Sequence, residues 1–121
     1  MGRVVFVEDD PTIRKLVQAA LRSTDHEVHF AMNGREGLAL IARVRPDAVF
    51  TDVAMPEMDG IQLADAIRAD PALAKTPIVF VTASVQRDQI QRYFAHGATT
   101  YLAKPFSTKQ LREQVDKLVA H

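Results

Sequence analysis

Glu8-Asp9-Asp10, Asp52, Thr82 and Lys104 are the side chains most able to do chemistry, and each follows a short apolar run. Val4-Val5-Phe6-Val7 precedes the first acids, Ala48-Val49-Phe50 comes just before Asp52, Ile78–Val81 precedes Thr82, and Thr99–Ala103 precedes Lys104. If those runs share a sheet, the acids meet on one rim. Two unit charges ~4 Å apart repel by roughly 4 kcal/mol at an effective dielectric of ~20. Such a site either raises a pKa or holds a cation. An oxygen-only set without His or Cys suits a hard divalent ion, and Mg²⁺ commonly takes one or two carboxylates while accepting a phosphate oxygen. Asp52 then needs no basic neighbour in sequence if a metal and a lysine from another strand meet it in space.

Taken singly, these residues have ordinary explanations. Asp10 before Pro11 reads as a helix N-cap with proline in the first turn. Glu8 reads as a solvated strand end, Asp52 as a turn former, Thr82 and Tyr101 as strand residues, and Lys104 as a surface lysine. Taken together the ordinary readings are weak, because the unusual residues fall at the carboxyl ends of apolar runs.

Those runs alternate with longer amphipathic ones. Strands are expected at Val4–Val7, Glu27–Ala31, Ala48–Phe50, Ile78–Val81 and Thr99–Ala103. Ile13, Leu16, Val17, Ala20 and Leu21 recur at helical spacing, as do Leu38, Ile41 and Ala42, then Ile61, Leu63, Ala64 and Ile67. A fourth helix spans roughly Gln86 to Ala95 and stops at Gly97, and Ser107 caps a fifth carrying Leu111, Val115 and Leu118. Five strand–helix units in alternation predict a parallel sheet with helices on both faces. Alternation does not choose the strand order. If the order is 2-1-3-4-5, the first and third strands meet at the switch point, where open α/β sheets bind ligands.

The 121 residues suit a single domain, 1–121, and 47% hydrophobic content can bury one sizeable core. Fifteen basic and fifteen acidic side chains leave no basic excess, so direct nucleic-acid binding is not expected. The absence of cysteine excludes disulfides and thiolate chemistry. No apolar stretch approaches the roughly 18 residues of a membrane helix, so a cytoplasmic protein off the membrane is expected.

"VEDDPTIR", "PDAVFTDVAMPEMDG", "PIVFVTA" and "GATTYLAKPF", in this order and spacing, resemble the receiver domain of bacterial two-component response regulators, including the chemotaxis response regulator. The resemblance covers essentially the whole chain. It implies a flavodoxin-like α/β fold, a doubly wound five-stranded parallel sheet of order 2-1-3-4-5. It implies that Asp52 is the phosphoacceptor, attacking a phosphohistidine of a sensor histidine kinase or phosphotransfer protein. Asp9, Asp52 and the Ala54 backbone carbonyl would ligate Mg²⁺, or Mn²⁺ in its place, with Glu8 contributing through water. Lys104 would bind the phosphoryl oxygens, before a cis Lys104–Pro105 peptide. Thr82 would hydrogen-bond the phosphoryl group, and Tyr101 would then rotate inward. Pro56 and Gly60 would shape the loop after Asp52.

The resemblance also implies a signalling switch rather than an enzyme with a separate substrate. A downstream protein would bind through the face of helix 4, strand 5 and helix 5, on a monomer or weak dimer. Ala54 and Ser84 are short at positions that tune phosphate lifetime in the family. "ATTYLAKPF" lacks the paired acids that precede the tyrosine in many winged-helix regulators. Two alternatives stay open: a receiver excised from a larger hybrid kinase or output-domain regulator, and a phosphorylation-independent docking module. A haloacid-dehalogenase-type phosphatase wants an acid where Ala54 stands. A flavin-binding relative wants a phosphate loop where Glu8-Asp9-Asp10 would repel one.

Overall fold

The computed structural model describes residues 2–55 and 57–119. Five strands and five helices alternate: β1 Arg3–Val7, α1 Pro11–Leu21, β2 Glu27–Ala31, α2 Gly34–Val44, β3 Ala48–Asp52, α3 Gly60–Ala69, β4 Ile78–Thr82, α4 Arg87–Ala95, β5 Thr100–Ala103 and α5 Thr108–Leu118. All strand pairs are parallel, in the order β2-β1-β3-β4-β5. This is the expected doubly wound sheet. Asp52 and Thr82 are the last residues of their strands rather than the first residues after them.

Strand parity divides the core in two. Val4, Phe6, Ala48, Phe50, Val79 and Val81 face α1 and α5, where they meet Val17, Leu21, Leu111 and Val115. Val5, Val7, Val49, Ile78 and Phe80 face the other helices and meet Ile41, Leu63, Ile67 and Tyr93. Residues two apart on a strand share a face, which is how apolar strands serve both layers. Phe6 stacks on Phe50 with ring centroids 5.6 Å apart, locking the two strands that carry the central acids.

Helix starts are well specified. Asp10 accepts from Thr12 N at 2.9 Å, Asn33 caps α2, and Asp59 and Ser107 each form a reciprocal capping box. Such caps contribute about 1 kcal/mol each. Helix α4 differs: Gln86 makes no side-chain cap bond, and Tyr93 is the helix's one buried residue. Its C-terminal end is held instead by Arg68, whose guanidinium donates to Gly97 O at 2.7 Å, Ala74 O at 2.9 Å and Thr76 O at 2.6 Å. Gly97 takes a φ of 93°, which favours glycine. Sequence patterning places His26 at the surface, yet its side chain is only 12% exposed and meets Asp116 of α5 at 2.8 Å. Among the described residues no helix is long and apolar enough to cross a membrane.

Candidate functional site

The β1–β3 register pairs Val7 with Thr51, so the next residue of each, Glu8 and Asp52, stand side by side at the rim. Asp52 pairs with Val81, which puts Thr82 one step beyond it on β4. Lys104 N donates to Thr82 O at 2.8 Å and brings the lysine to the same rim. The Lys104–Pro105 peptide is cis. Gly60 closes the far side: its N–H donates to Val53 O at 2.9 Å, and a Cβ there would collide with the Asp52 carbonyl oxygen. Pro56, expected to shape this loop, lies outside the described residues.

Glu8, Asp9 and Asp52 each place a carboxylate oxygen within 4.8 Å of the others. Asp10 is not part of this set, because its side chain caps α1. Glu8 is fully buried, Asp52 nearly so at 8% exposure, and Asp9 is exposed. The Lys104 ammonium lies 3.0 Å from Asp52 Oδ2 and 3.2 Å from Glu8 Oε1. Only the Asp52 contact is an aligned hydrogen bond; Glu8 Oε1 is buried without an aligned donor.

Burial, and then the Asp52 charge, push the Glu8 carboxyl up to about 7, with Lys104 partly offsetting both. Burial works against the Lys104 charge, but its contacts with Asp52 and Glu8 outweigh that and hold it above its ordinary value. One lysine therefore undercompensates three acids. A buried carboxylate oxygen with no aligned donor, within an oxygen-only set, fits a hard divalent cation. Exposed Asp9 leaves a side open to solvent, as a metal that keeps waters requires.

Thr82 is 5% exposed, and its hydroxyl bonds to Ser84 and Tyr93. Oγ1 accepts from Ser84 N at 3.0 Å and shares a 2.9 Å hydrogen bond with the Tyr93 hydroxyl. Tyr93 donates in turn to Ser84 O at 3.3 Å. Tyr101 is half-buried on β5 against the α2–α4 side of the core, opposite Phe80, with no hydrogen bond to Thr82. Ala54 is exposed two residues past Asp52. The structure thus brings Glu8, Asp9, Asp52 and Lys104 together, with Thr82 beside them.

Tyr93 is the residue that sequence reasoning missed. Its helix carries Ile90, Tyr93 and Phe94, and helical spacing accepts either aromatic as the inward one. The structure buries Tyr93 and leaves Phe94 48% exposed.

A groove of about 360 Å³ opens beside the acids, lined by Ile13, Leu16, Ala83, Lys104, Pro105 and Phe106. It is mostly apolar and runs up to the lysine that touches Asp52.

The chain belongs to the response regulator receiver domain family, whose model matches residues 4–116. It is 34% identical to the DNA-binding dual master transcriptional regulator RpaA of Synechocystis over 98% of this chain and 49% of that protein. It spans about half the length of that relative, and 24% and 12% of the length of two further curated relatives. The solved structure of chemotaxis response regulator CheY4 of Vibrio cholerae superposes with a TM-score of 0.92 at 34% identity, covering 98% of this chain and 99% of that one. The receiver domain of sensor histidine kinase PA1611 from Pseudomonas aeruginosa is 28% identical, with a TM-score of 0.88 over 97% and 96% of the two chains. That structure holds a magnesium ion coordinated in its active-site cleft. The chain is therefore a two-component receiver domain, a signalling switch with an acidic cluster that fits a divalent metal.

Proposed function

We propose that Asp52 is the phosphoacceptor, that the whole chain, 1–121, acts as one cytoplasmic receiver, and that the donor is a phosphohistidine of a sensor histidine kinase or phosphotransfer protein. The observation that carries this is the Lys104 ammonium held 3.0 Å from a nearly buried Asp52, inside an acid cluster. An Asp52 carboxylate oxygen attacks phosphorus, the P–N bond breaks, and the imidazole nitrogen leaves with the electron pair. Asp9, Asp52 and the Ala54 carbonyl would hold Mg²⁺, with Mn²⁺ as the alternative ion and Glu8 acting through water. When bound, the ion neutralises charge on the phosphoryl oxygens.

Lys104 moves with the charge. It pairs with Asp52 before transfer and with a phosphoryl oxygen after it, as a point charge on a flexible stem. The apolar groove beside Lys104 supports docking of the donor there, since Leu16 on its lip is 38% exposed. The output is read on α4, β5 and α5, where Phe94 is 48% exposed, through Thr82 and Tyr101. The lengths of the relatives favour one further reading, that this receiver works joined to a kinase or output domain. The complete acid–threonine–lysine set disfavours a docking module that never takes phosphate.

Incubation with acetyl phosphate and Mg²⁺ is expected to add a single phosphoryl group by intact mass. Asp52→Asn and omission of metal should each abolish it. An adduct that survives Asp52→Asn would overturn the assignment. Thr82→Ala should still take phosphate yet show a weakened gain in partner binding; unimpaired binding would count against the switch role.

A further inference from the structure

The Thr82 hydroxyl proton is committed to Tyr93 or Ser84 rather than to Asp52. A hydroxyl has one proton to give and two lone pairs. One lone pair receives the Ser84 N–H at 3.0 Å. The Tyr93 hydroxyl lies 2.9 Å away, and whichever of the two does not donate to the other faces Ser84 O, at 3.4 Å from Thr82 and 3.3 Å from Tyr93. In either direction the Thr82 proton is already committed. Tyr93 is itself fixed: it is 2% exposed, and its ring stands edge-on to Phe80 with centroids 5.3 Å apart.

Tyr93 is also the one buried side chain of α4, the helix whose start lacks a side-chain cap. Strand parity puts Thr82 and Phe80 on the α4 side of the sheet, so the bond runs directly from the rim to the helix.

We infer that Tyr93 is a positioning residue that tethers the Thr82 hydroxyl to α4 and holds the domain in its resting state. This rests on the reading of Asp52 as phosphoacceptor. A phosphoryl group on Asp52 has to draw the Thr82 proton away from this network. Its charge makes it the stronger acceptor, because charge-assisted hydrogen bonds are roughly twice as strong as neutral ones. Release of Thr82 removes a tie from the least anchored helix, so one hydrogen-bond exchange both senses the phosphate and loosens α4. Phosphate affinity is lowered by whatever the tether contributes to the resting state, because a ligand that must shift a population binds more weakly by that fraction.

The test is Tyr93→Phe, which removes one oxygen and keeps the edge-on ring against Phe80. Three-bond couplings report the Thr82 side-chain rotamer in the unliganded protein. Titration of the Mg²⁺-loaded protein with beryllium fluoride, which takes the place of a phosphoryl group on a carboxylate, reports affinity. Wild type is expected to show one Thr82 rotamer and the variant an average. The variant should bind the mimic roughly 2- to 12-fold more tightly, the range for losing one neutral hydrogen bond. A merely structural tyrosine would weaken binding instead. An unchanged rotamer in the variant overturns the tether, as does equal or weaker affinity where wild type binds the mimic. Should neither protein bind it while the rotamer is freed, the tether stands and the phosphoacceptor reading fails.

Discussion

Lys104→Met is expected to destabilise the metal-free protein by about 3 kcal/mol, the range for removing one partner of a largely buried ion pair. Among the described residues Lys104 is the one cation in contact with Asp52 and Glu8, at 3.0 and 3.2 Å. Its own side chain is 20% exposed, so the loss should fall at the low end of that range. Without it, two adjacent carboxylates face each other uncompensated, and Glu8 is driven further toward its protonated form. The ammonium also cancels part of the negative charge that would attract a divalent ion. The variant should therefore bind Mg²⁺ more tightly than wild type while taking phosphate poorly from a small donor. Urea unfolding with and without Mg²⁺ checks this. Equal stability of the two metal-free proteins would show that Lys104 carries little of the acids' charge.

Glu8→Gln should act in the opposite sense. Burial and Asp52 raise the Glu8 carboxyl from 4.5 to about 7 in the folded, metal-free protein. The folded state then binds a proton more tightly than the unfolded state. The stability this confers is present below pH 4.5 and is lost as pH rises through 7. A shift of this size corresponds to about 3 kcal/mol. Glutamine has the same shape without the titration, so the metal-free variant should match wild type near pH 4 and exceed it by about 2–3 kcal/mol above pH 7.5. Mg²⁺ should stabilise wild type strongly and the variant weakly. Thermal melts across that pH range with a chelator present make the comparison. A wild type whose stability does not fall between pH 4.5 and 7.5 would contradict the account. Glu8 and Lys104 touch, so the double variant should lose less than Lys104→Met alone.

Much of this was legible in the residues. Apolar strands of four or five residues, separated by capped amphipathic helices, leave little besides a parallel sheet. The polar residue after four of the five runs marked the rim, and Asp10 before Pro11 announced its own role as a cap. Strand order was not legible from alternation, because the same alternation is compatible with several crossovers; resemblance supplied it. The partition of Glu8 and Asp9 from Asp10 needed the backbone turn after β1. Tyr93 was hidden because adjacent aromatics satisfy the same helical spacing. His26 was hidden because its partner, Asp116, is 90 residues away on α5. Arg68 was equally invisible, since its acceptors are three backbone carbonyls from two separate turns.

The most direct test of the central claim is chemical trapping of the phosphorylated residue. The protein is incubated with acetyl phosphate and Mg²⁺, reduced with borohydride, digested and sequenced by mass spectrometry. Borohydride converts an aspartyl phosphate to homoserine and leaves an unmodified aspartate unchanged. The account predicts homoserine at position 52 and at no other aspartate, with none formed when metal is withheld. Homoserine at Asp9 or Asp10, or a phosphoryl group retained on a histidine with Asp52 intact, would contradict it.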